Sequence, residues 1–552
     1  MDEGLSKITY WKAKRSKGGL AFAFLLAGIS VLPLVFALTV LFSKTGTSSL
    51  LTRFTEPELL ASLTFTLFQA TYSALIVVLF SPLLALALFS LPLWSIRCSM
   101  LIRITSFCLP SIVVASGLVI AWGNNGYCTQ ILRQIGLESP FPKILYSPQA
   151  IVWANSLMNV PFCSAILFRR VLELPIEQLR SAEIMGLNPK NVIKFLLWPA
   201  LRPILLYFGG LSFLMSMGSF GALSILGGGP QAQTLEIAIY HAIYSAADWE
   251  LAGVLTLIHT LLCGLFAWFT IWSLNRSALA KSSSKVTLTG YSTIRPLLFQ
   301  SRRMIYMSIG LTLLFDGLVL SPIIALIFEA GRHVVNGGVT APSAVLTSAI
   351  GVSISFAIPA ASLITIAAWL LSRAYHRASS QGDKKVANIL QLATFSAAVI
   401  PPMALGFGFL VLQSSGDFFS ARQPLIASAL TSAMLPFALS FFMPTYGSRL
   451  ASGNQSRLLL GLKESTFFRR VEWPALRLSF IIVFALSLAL CLNETSIVTI
   501  LGDATSPALT TTMIRLMNQY RFGDSSLVAT LLIFITSIIV LYFYKSEGVN
   551  DA

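Results

Sequence analysis

The chain has 552 residues, 55% of them hydrophobic and only 11% charged, with a mean hydropathy of +0.77. Soluble domains are roughly a quarter charged, so this composition excludes a soluble globular protein. The net charge of +16 does not point to nucleic acid, because 30 of the 38 Lys and Arg fall on one alternating set of loops. That asymmetry is the positive-inside rule.

In chain order, a basic start (MDEGLSKITYWKAKRSKGG) precedes a long apolar run ending near Phe42. This run is longer than a signal-peptide core and has no small-residue cleavage site, so it reads as an uncleaved first helix. Eleven further apolar runs follow, near 61–91, 98–122, 148–171, 203–226, 250–274, 303–328, 343–372, 388–413, 425–447, 477–500 and 525–545. Each is long enough to cross about 30 Å of hydrocarbon as a helix. The runs are continuous rather than alternating, which selects helices over a barrel. The predicted fold class is an all-α polytopic membrane protein of about twelve transmembrane helices, with both termini cytoplasmic. The six cysteines show no CxxC spacing, so neither a zinc site nor a disulfide scaffold is supported.

A polar stretch, Asn275 to Arg303, contains SALAKSSSK and reads as a cytoplasmic linker. Residues 1–274 and 303–552 are then two transmembrane domains joined by 275–302. These halves repeat. WPALR occurs at Trp198–Arg202 and at Trp473–Arg477, an offset of 275. The same offset pairs Pro161-Phe162 with Pro436-Phe437, Gly186-Leu187 with Gly461-Leu462, Leu211-Ser212 with Leu486-Ser487, and Ile225-Leu226-Gly227 with Ile500-Leu501-Gly502. Matches in one register across several elements mark an internal repeat. An offset of six helices returns the chain to the same side of the membrane, so the repeats are parallel.

Each half carries one long cytoplasmic loop, near 172–202 and 448–477, in which a glycine precedes a proline by thirteen residues: Gly186 to Pro199 and Gly461 to Pro474. The pattern predicts a helix, a break at glycine, a second helix and a proline marking entry to the next span. These loops resemble the EAA motif of ABC-importer permeases, EAA-x3-G-x9-I-x-L-P. The matching residues are Ser181, Ala182, Gly186, Leu196 and Pro199 in the first half, and Ser456, Gly461, Val471 and Pro474 in the second. The motif's glutamate position holds Arg180 and Gln455, and its leucine position holds Trp198 and Trp473. The resemblance implies a type I importer permease whose two loops dock onto two ABC ATPase subunits. Ser181, Ala182, Gly186, Trp198, Pro199, Ser456, Gly461, Trp473 and Pro474 are then the coupling residues.

No GxxxxGK[ST] occurs, so the chain has no P-loop to cradle ATP. By this reading it is no enzyme and holds no cofactor: ATP and magnesium belong to the partner subunits. Three segments narrow the resemblance to bacterial thiamine ABC permeases: Trp122–Leu137, Leu226–Ile243 with GGGPQ before T-x-E-x-A-I-Y, and NQYRFGD at Asn518–Asp524. Ferric-iron permeases are the alternative.

Glu494 stands in LALCLNETSIVTIL, and its repeat partner is Ser219 in MSMGSFGALSIL. An ionisable residue inside an apolar run is a functional candidate, so Ser219, Phe220, Asn493 and Glu494 are taken as lining the translocation pathway; the bland reading of Glu494 is a bond to a neighbouring helix. Asp316, in LLFDGLVLSP, reads as a structural bond between helices, as do Asn155 and Asn159, one turn apart. The pairs Pro110/Pro401 and Gly117/Gly408 suit a kink or close packing. His241, His259, His333 and His376 show no metal-ligand spacing.

The resemblance implies a further partner, a periplasmic substrate-binding protein landing on Gln231–Ala247 and Thr505–Asp524. ATP-driven closure of the ATPase pair would then open the cavity outward, and hydrolysis would reset it. An ion-coupled secondary transporter is the rival class. Its usual basic G-x3-D-x-x-G-R loop is lacking here, where SLPLWSIRCSML stands between the second and third spans.

Overall fold

The computed structural model describes residues 57–546, apart from 140, 146, 228–232, 276–287, 339–342, 381–382, 384, 388, 391–399, 415–421, 451–462 and 504, together with residues 32, 35, 36 and 39. The first expected span therefore lies largely outside the described residues. Among the described residues there is no strand, and nine helices are long and apolar enough to cross a membrane, or ten if one bent pair counts as a single span. The chain is an all-α polytopic membrane protein.

By contacts it divides into two compact units. One comprises residues 1–47 and 348–508, and the other comprises residues 48–347 and 509–552. These units do not follow the covalent order of the repeats. The helix Arg302–Val335 and the C-terminal residues from Leu509, all in the second repeat by sequence, pack with first-repeat helices.

The larger unit begins with α1 (Pro57–Ala87), α2 (Leu93–Cys108), α3 (Ser111–Trp122) and α4 (Tyr127–Gln134). The expected single span at 98–122 is corrected here: the segments on either side of Leu109-Pro110 are bent by 111°. A residue before proline is pushed out of the helical region, and Leu109 is extended, with ψ at 148°. Pro110 then starts α3, its carbonyl accepting from Val113 N at 3.0 Å.

Next come α5 (Pro148–Leu172), α6 (Ile176–Ile184), α7 (Trp198–Met217), α8 (Phe220–Leu226), α9 (Leu235–Tyr244) and α10 (Trp249–Asn275). The expected linker is also modified. Its residues 288–298 form a helix, α11, whose Ile294, Leu297 and Leu298 are buried in the same core as Leu179 and Ala182 of α6. The Tyr291 hydroxyl donates to Leu91 O at 2.5 Å, and its ring stacks on Phe89. Four apolar or aromatic residues at helical spacing (Tyr291, Ile294, Leu297, Leu298) hold this segment down despite the polar sequence before it.

Helix α12 (Arg302–Val335) crosses the same unit. Gly117 of α3 lets it approach closely: a Cβ there would lie 2.6 Å from Pro322 Cβ and 2.7 Å from Pro322 O. Small residues at helix crossings do this work in membranes, where no hydrophobic force drives helices together. The pair Gly117–Pro322 thus carries the packing role expected of Gly117.

The smaller unit holds most of α13 (Ser343–Ser380), with α14 (Pro402–Ser414), α15 (Arg422–Leu450), α16 (Trp473–Asn493) and α17 (Ser496–Leu501). Pro401 precedes α14 as Pro110 precedes α3. The last helices, α18 (Leu509–Asn518) and α19 (Phe522–Ser546), return to the larger unit.

Candidate functional site: coupling segments and helix breaks

The first candidate coupling segment starts at α6, whose Ala182 faces the core while Ser181 donates its hydroxyl to Glu177 O at 2.7 Å. Gly186 follows with φ at +62° and open space where a Cβ would stand. It is a backbone requirement rather than a packing one, the left-handed step that commonly ends a helix. Around this turn Ile184 is 86% exposed and Met185 68% exposed. Two bare apolar side chains at a loop tip suit a groove on another protein.

The chain then re-enters helix at Pro189–Asn191, capped by Asn188 Oδ1, which accepts from Asn191 N at 2.9 Å. Here the structure modifies a sequence expectation. The span does not begin at Pro199, because one continuous helix runs from Pro189 to Met217. Its wall widens into a π turn at Val192–Leu197, immediately before Trp198-Pro199. Proline has no N–H and clashes with the carbonyl four residues earlier; a wider turn relieves both problems without ending the helix.

The second half repeats this construction. A π turn at Phe468–Glu472 precedes Trp473-Pro474, within one helix from Ser465 to Asn493. Ser456 and Gly461 lie outside the described residues. Trp198 and Trp473 are each 46% exposed, and Pro199 and Pro474 are exposed beside them. The repeat thus conserves a geometry, a π turn capped by an exposed Trp-Pro pair.

The candidate pathway residues sit at a second repeated feature. Helix α7 ends at Gly218-Ser219 and α8 restarts at Phe220; α16 ends at Asn493, and α17 restarts at Ser496 after Glu494-Thr495. Both spans therefore break at equivalent places, and each break is held differently. Ser219 donates its hydroxyl to Asn155 Oδ1 at 3.0 Å, Asn155 Nδ2 donates to Gln69 Oε1 at 3.0 Å, and Gln69 Nε2 donates to Ser216 O at 2.6 Å. This buried chain of amides ties α7 to α5 and α1. Glu494 instead turns back on its own chain, where its Oε1 accepts from Ser496 N at 2.8 Å and Ile497 N at 3.2 Å. A carboxylate at that position satisfies N–H groups that a helix start leaves open. Phe220 is buried with its ring 5.4 Å from Tyr240, and Asn493 closes α16.

Four polar clusters emerge from the structure, of which only Asp316 has a bonding role expected from the sequence. Arg103 appears there as a loop cation, yet it is wholly buried on α2. It pairs with Asp316 Oδ1 at 3.2 Å and donates to Ser164 Oγ at 2.6 Å and Ser99 Oγ at 3.1 Å. Asp316 thus makes the interhelical bond expected of it. Glu236, in T-x-E-x-A-I-Y, is fully buried 3.8 Å from His259 on α10. Near the end of α12, Asp524 receives Arg521 at 2.6 Å and lies 3.2 Å from His333, while Tyr127 donates to Glu329. The fourth centres on Glu472. Each is an ionisable group among apolar neighbours, the signal that picked out Glu494.

In the smaller unit a cavity of about 280 Å³ is lined by Phe356, Arg422, Gln423, Asp503 and Ser506 among others. It adjoins the start of the expected Thr505–Asp524 landing surface. Among the described residues no group of three His, Cys, Asp or Glu could hold a metal ion.

The fold and these repeated segments define a polytopic α-helical membrane protein with an internal repeat, its distinctive parts being a π turn before a Trp-Pro pair in each half and a helix break at equivalent places in the two halves. No family model matches the chain. Along nearly its whole length it is similar to thiamine transport system permease proteins: 28% identical over 530 residues to that of Brucella abortus (strain 2308), covering 93% of this chain and 92% of the relative. The Haemophilus influenzae protein is 25% identical over 523 residues, covering 93% and 94%, and that of Escherichia coli K12 is 24% identical over 488 residues, covering 88% and 89%.

Proposed function

We propose that this chain is the membrane-spanning permease subunit of an ATP-driven, binding-protein-dependent importer of thiamine and its phosphates, resident in the bacterial inner membrane with both termini in the cytoplasm. The observation that carries the reading is the duplicated coupling segment. Two copies of a π turn and exposed Trp-Pro pair, one of them with a bare Ile184-Met185 tip, suit docking to two copies of one soluble partner. With no P-loop in the chain, that partner is an ABC ATPase that binds ATP and magnesium. The substrate assignment rests on similarity to thiamine transport permeases that extends over nine-tenths of the sequence.

Ser219 and Phe220 at one helix break, and Asn493 and Glu494 at the other, are the residues assigned to the translocation pathway; Ser219 and Phe220 are buried, so the breaks must part for them to meet the cargo. A cation such as thiamine is attracted to a carboxylate and to aromatic faces, which suits Glu494 and Phe220.

The test is assembly. Gly186 has φ at +62°, where a β-branched residue is a strained outlier, so Gly186→Val distorts the loop tip while leaving the spans alone. The chain with Gly186→Val, and with Trp198→Asp and Trp473→Asp, is expected to lose co-purification with the ATPase while remaining folded in detergent. Undiminished co-purification of all three variants would remove the coupling assignment.

A further inference from the structure

The two coupling segments share a shape but are anchored by opposite means. The residue ending the second π turn is Glu472, and the 275-residue offset places Leu197 at the same point of the first. Leu197 is fully buried in an apolar core with Val192, Leu179 and Ile294. Glu472 is equally buried, but it is a carboxylate.

Its partners come from two other helices. Trp369 of α13 donates its Nε1–H to Glu472 Oε1 at 2.8 Å, and the Tyr446 hydroxyl of α15 donates to the same oxygen at 3.1 Å. Arg373, one turn beyond Trp369, places Nη2 3.2 Å from Glu472 Oε2, with its guanidinium 5.5 Å from the Trp369 ring centre. Aromatic rings close the site from the segment itself: Phe468 lies 5.2 Å from Trp369, and Phe480 contacts both Trp369 and Trp473.

The two kinds of anchor respond differently to displacement. Apolar packing is non-directional, so neighbouring faces can slide while staying buried. A buried carboxylate that accepts two hydrogen bonds and pairs with one guanidinium cannot separate from them without leaving charges unpaired in a low dielectric, which is strongly unfavourable. Any displacement of the second segment must therefore carry α13 and α15 with it.

We propose that Glu472 is the positioning residue that locks the second coupling segment to α13 and α15, so that motion of the docked ATPase reaches that half with fixed geometry. This rests on the reading of the chain as an ATP-driven permease.

The experiment reconstitutes the full chain with its ATPase and binding-protein partners in proteoliposomes and measures thiamine imported per ATP hydrolysed. The wild type comes first: lack of ATP-dependent import there sinks the functional reading itself, before any variant is compared. Given wild-type import, Glu472→Gln is expected to lower import per ATP at least tenfold. The double variant Glu472→Leu with Arg373→Met rebuilds the site in the apolar manner of Leu197. It is expected to recover the part of the thermal stability that the unpaired Arg373 charge costs yet keep the tenfold loss, which a purely structural role for Glu472 would not produce. If Glu472→Gln does not fold, Trp369→Phe, which deletes one donor and keeps a ring, is expected to lower the ratio severalfold. Wild-type import per ATP in the double variant would overturn the proposal.

Discussion

Arg103 and Asp316 show what one buried pair does in this chain. The guanidinium is fully buried and shares its donors among Asp316, Ser99 and Ser164, so α2, α5 and α12 meet at one point. Breaking such a pair leaves a charge uncompensated, at a cost of about 3–5 kcal/mol, whereas an apolar replacement of both partners is often neutral. Asp316→Asn is therefore expected to lower thermal stability in detergent markedly, and Arg103→Met with Asp316→Leu to restore most of it. Equal losses in the single and double variants would show that the pair is not the unit of stabilisation. Gln69 is a second case. Gln69→Leu removes the bond to Ser216 O and the acceptor for Asn155. Leaving buried polar partners open costs about 1–3 kcal/mol, so a corresponding fall in the denaturant midpoint is expected. Gln69 was legible only as one amide in a long apolar run; its partners 86 and 147 residues away were not.

Among elements, the helix breaks and π turns divide according to how local their causes are. The bend at Leu109-Pro110 follows from proline stereochemistry and could be anticipated as a kink, though not its 111° magnitude, which depends on the helices packed around it. The π turns at Val192–Leu197 and Phe468–Glu472 were not legible, because the same Trp-Pro dipeptide could equally well start a helix. Helix α11 was missed because the serines and lysines before it dominate the composition, while its three buried side chains and the half-buried Tyr291 matter only once α6 is present to cover them. The crossing of α3 with α12 gives an expectation at this scale. Gly117→Val would drive side-chain atoms into Pro322, whose Cβ already lies 2.6 Å from the position of a Cβ. Overpacking of this kind costs typically about 1–3 kcal/mol. Reduced yield and a lowered melting temperature are expected, with Gly117→Ala intermediate between wild type and Gly117→Val; wild-type stability in both would place slack at this crossing.

For the whole molecule, hydropathy and the 275-residue offset account for the helical class and the duplication, since both depend on properties summed over many residues. How contacts distribute the helices depends instead on particular side chains. Asp316, Glu329 and His333 bind α12 to α2, α4 and α19, and so a helix from the second repeat packs among helices of the first. No periodicity announces such a choice. The substrate reading likewise rests on similarity more than on any site: of the segments resembling thiamine permeases, Glu236 is buried beside His259, and Asp524 is held by Arg521 and His333. Import itself is therefore the direct test of the central claim. Radiolabelled thiamine uptake would be followed in cells lacking their own thiamine import and expressing this chain with the proposed ATPase and binding-protein partners. The account expects accumulation that depends on ATP and is abolished by Gly186→Val combined with Trp473→Asp. Absence of thiamine uptake, with labelled ferric iron accumulating instead, would contradict the substrate, and ATP-independent uptake would contradict the mechanism.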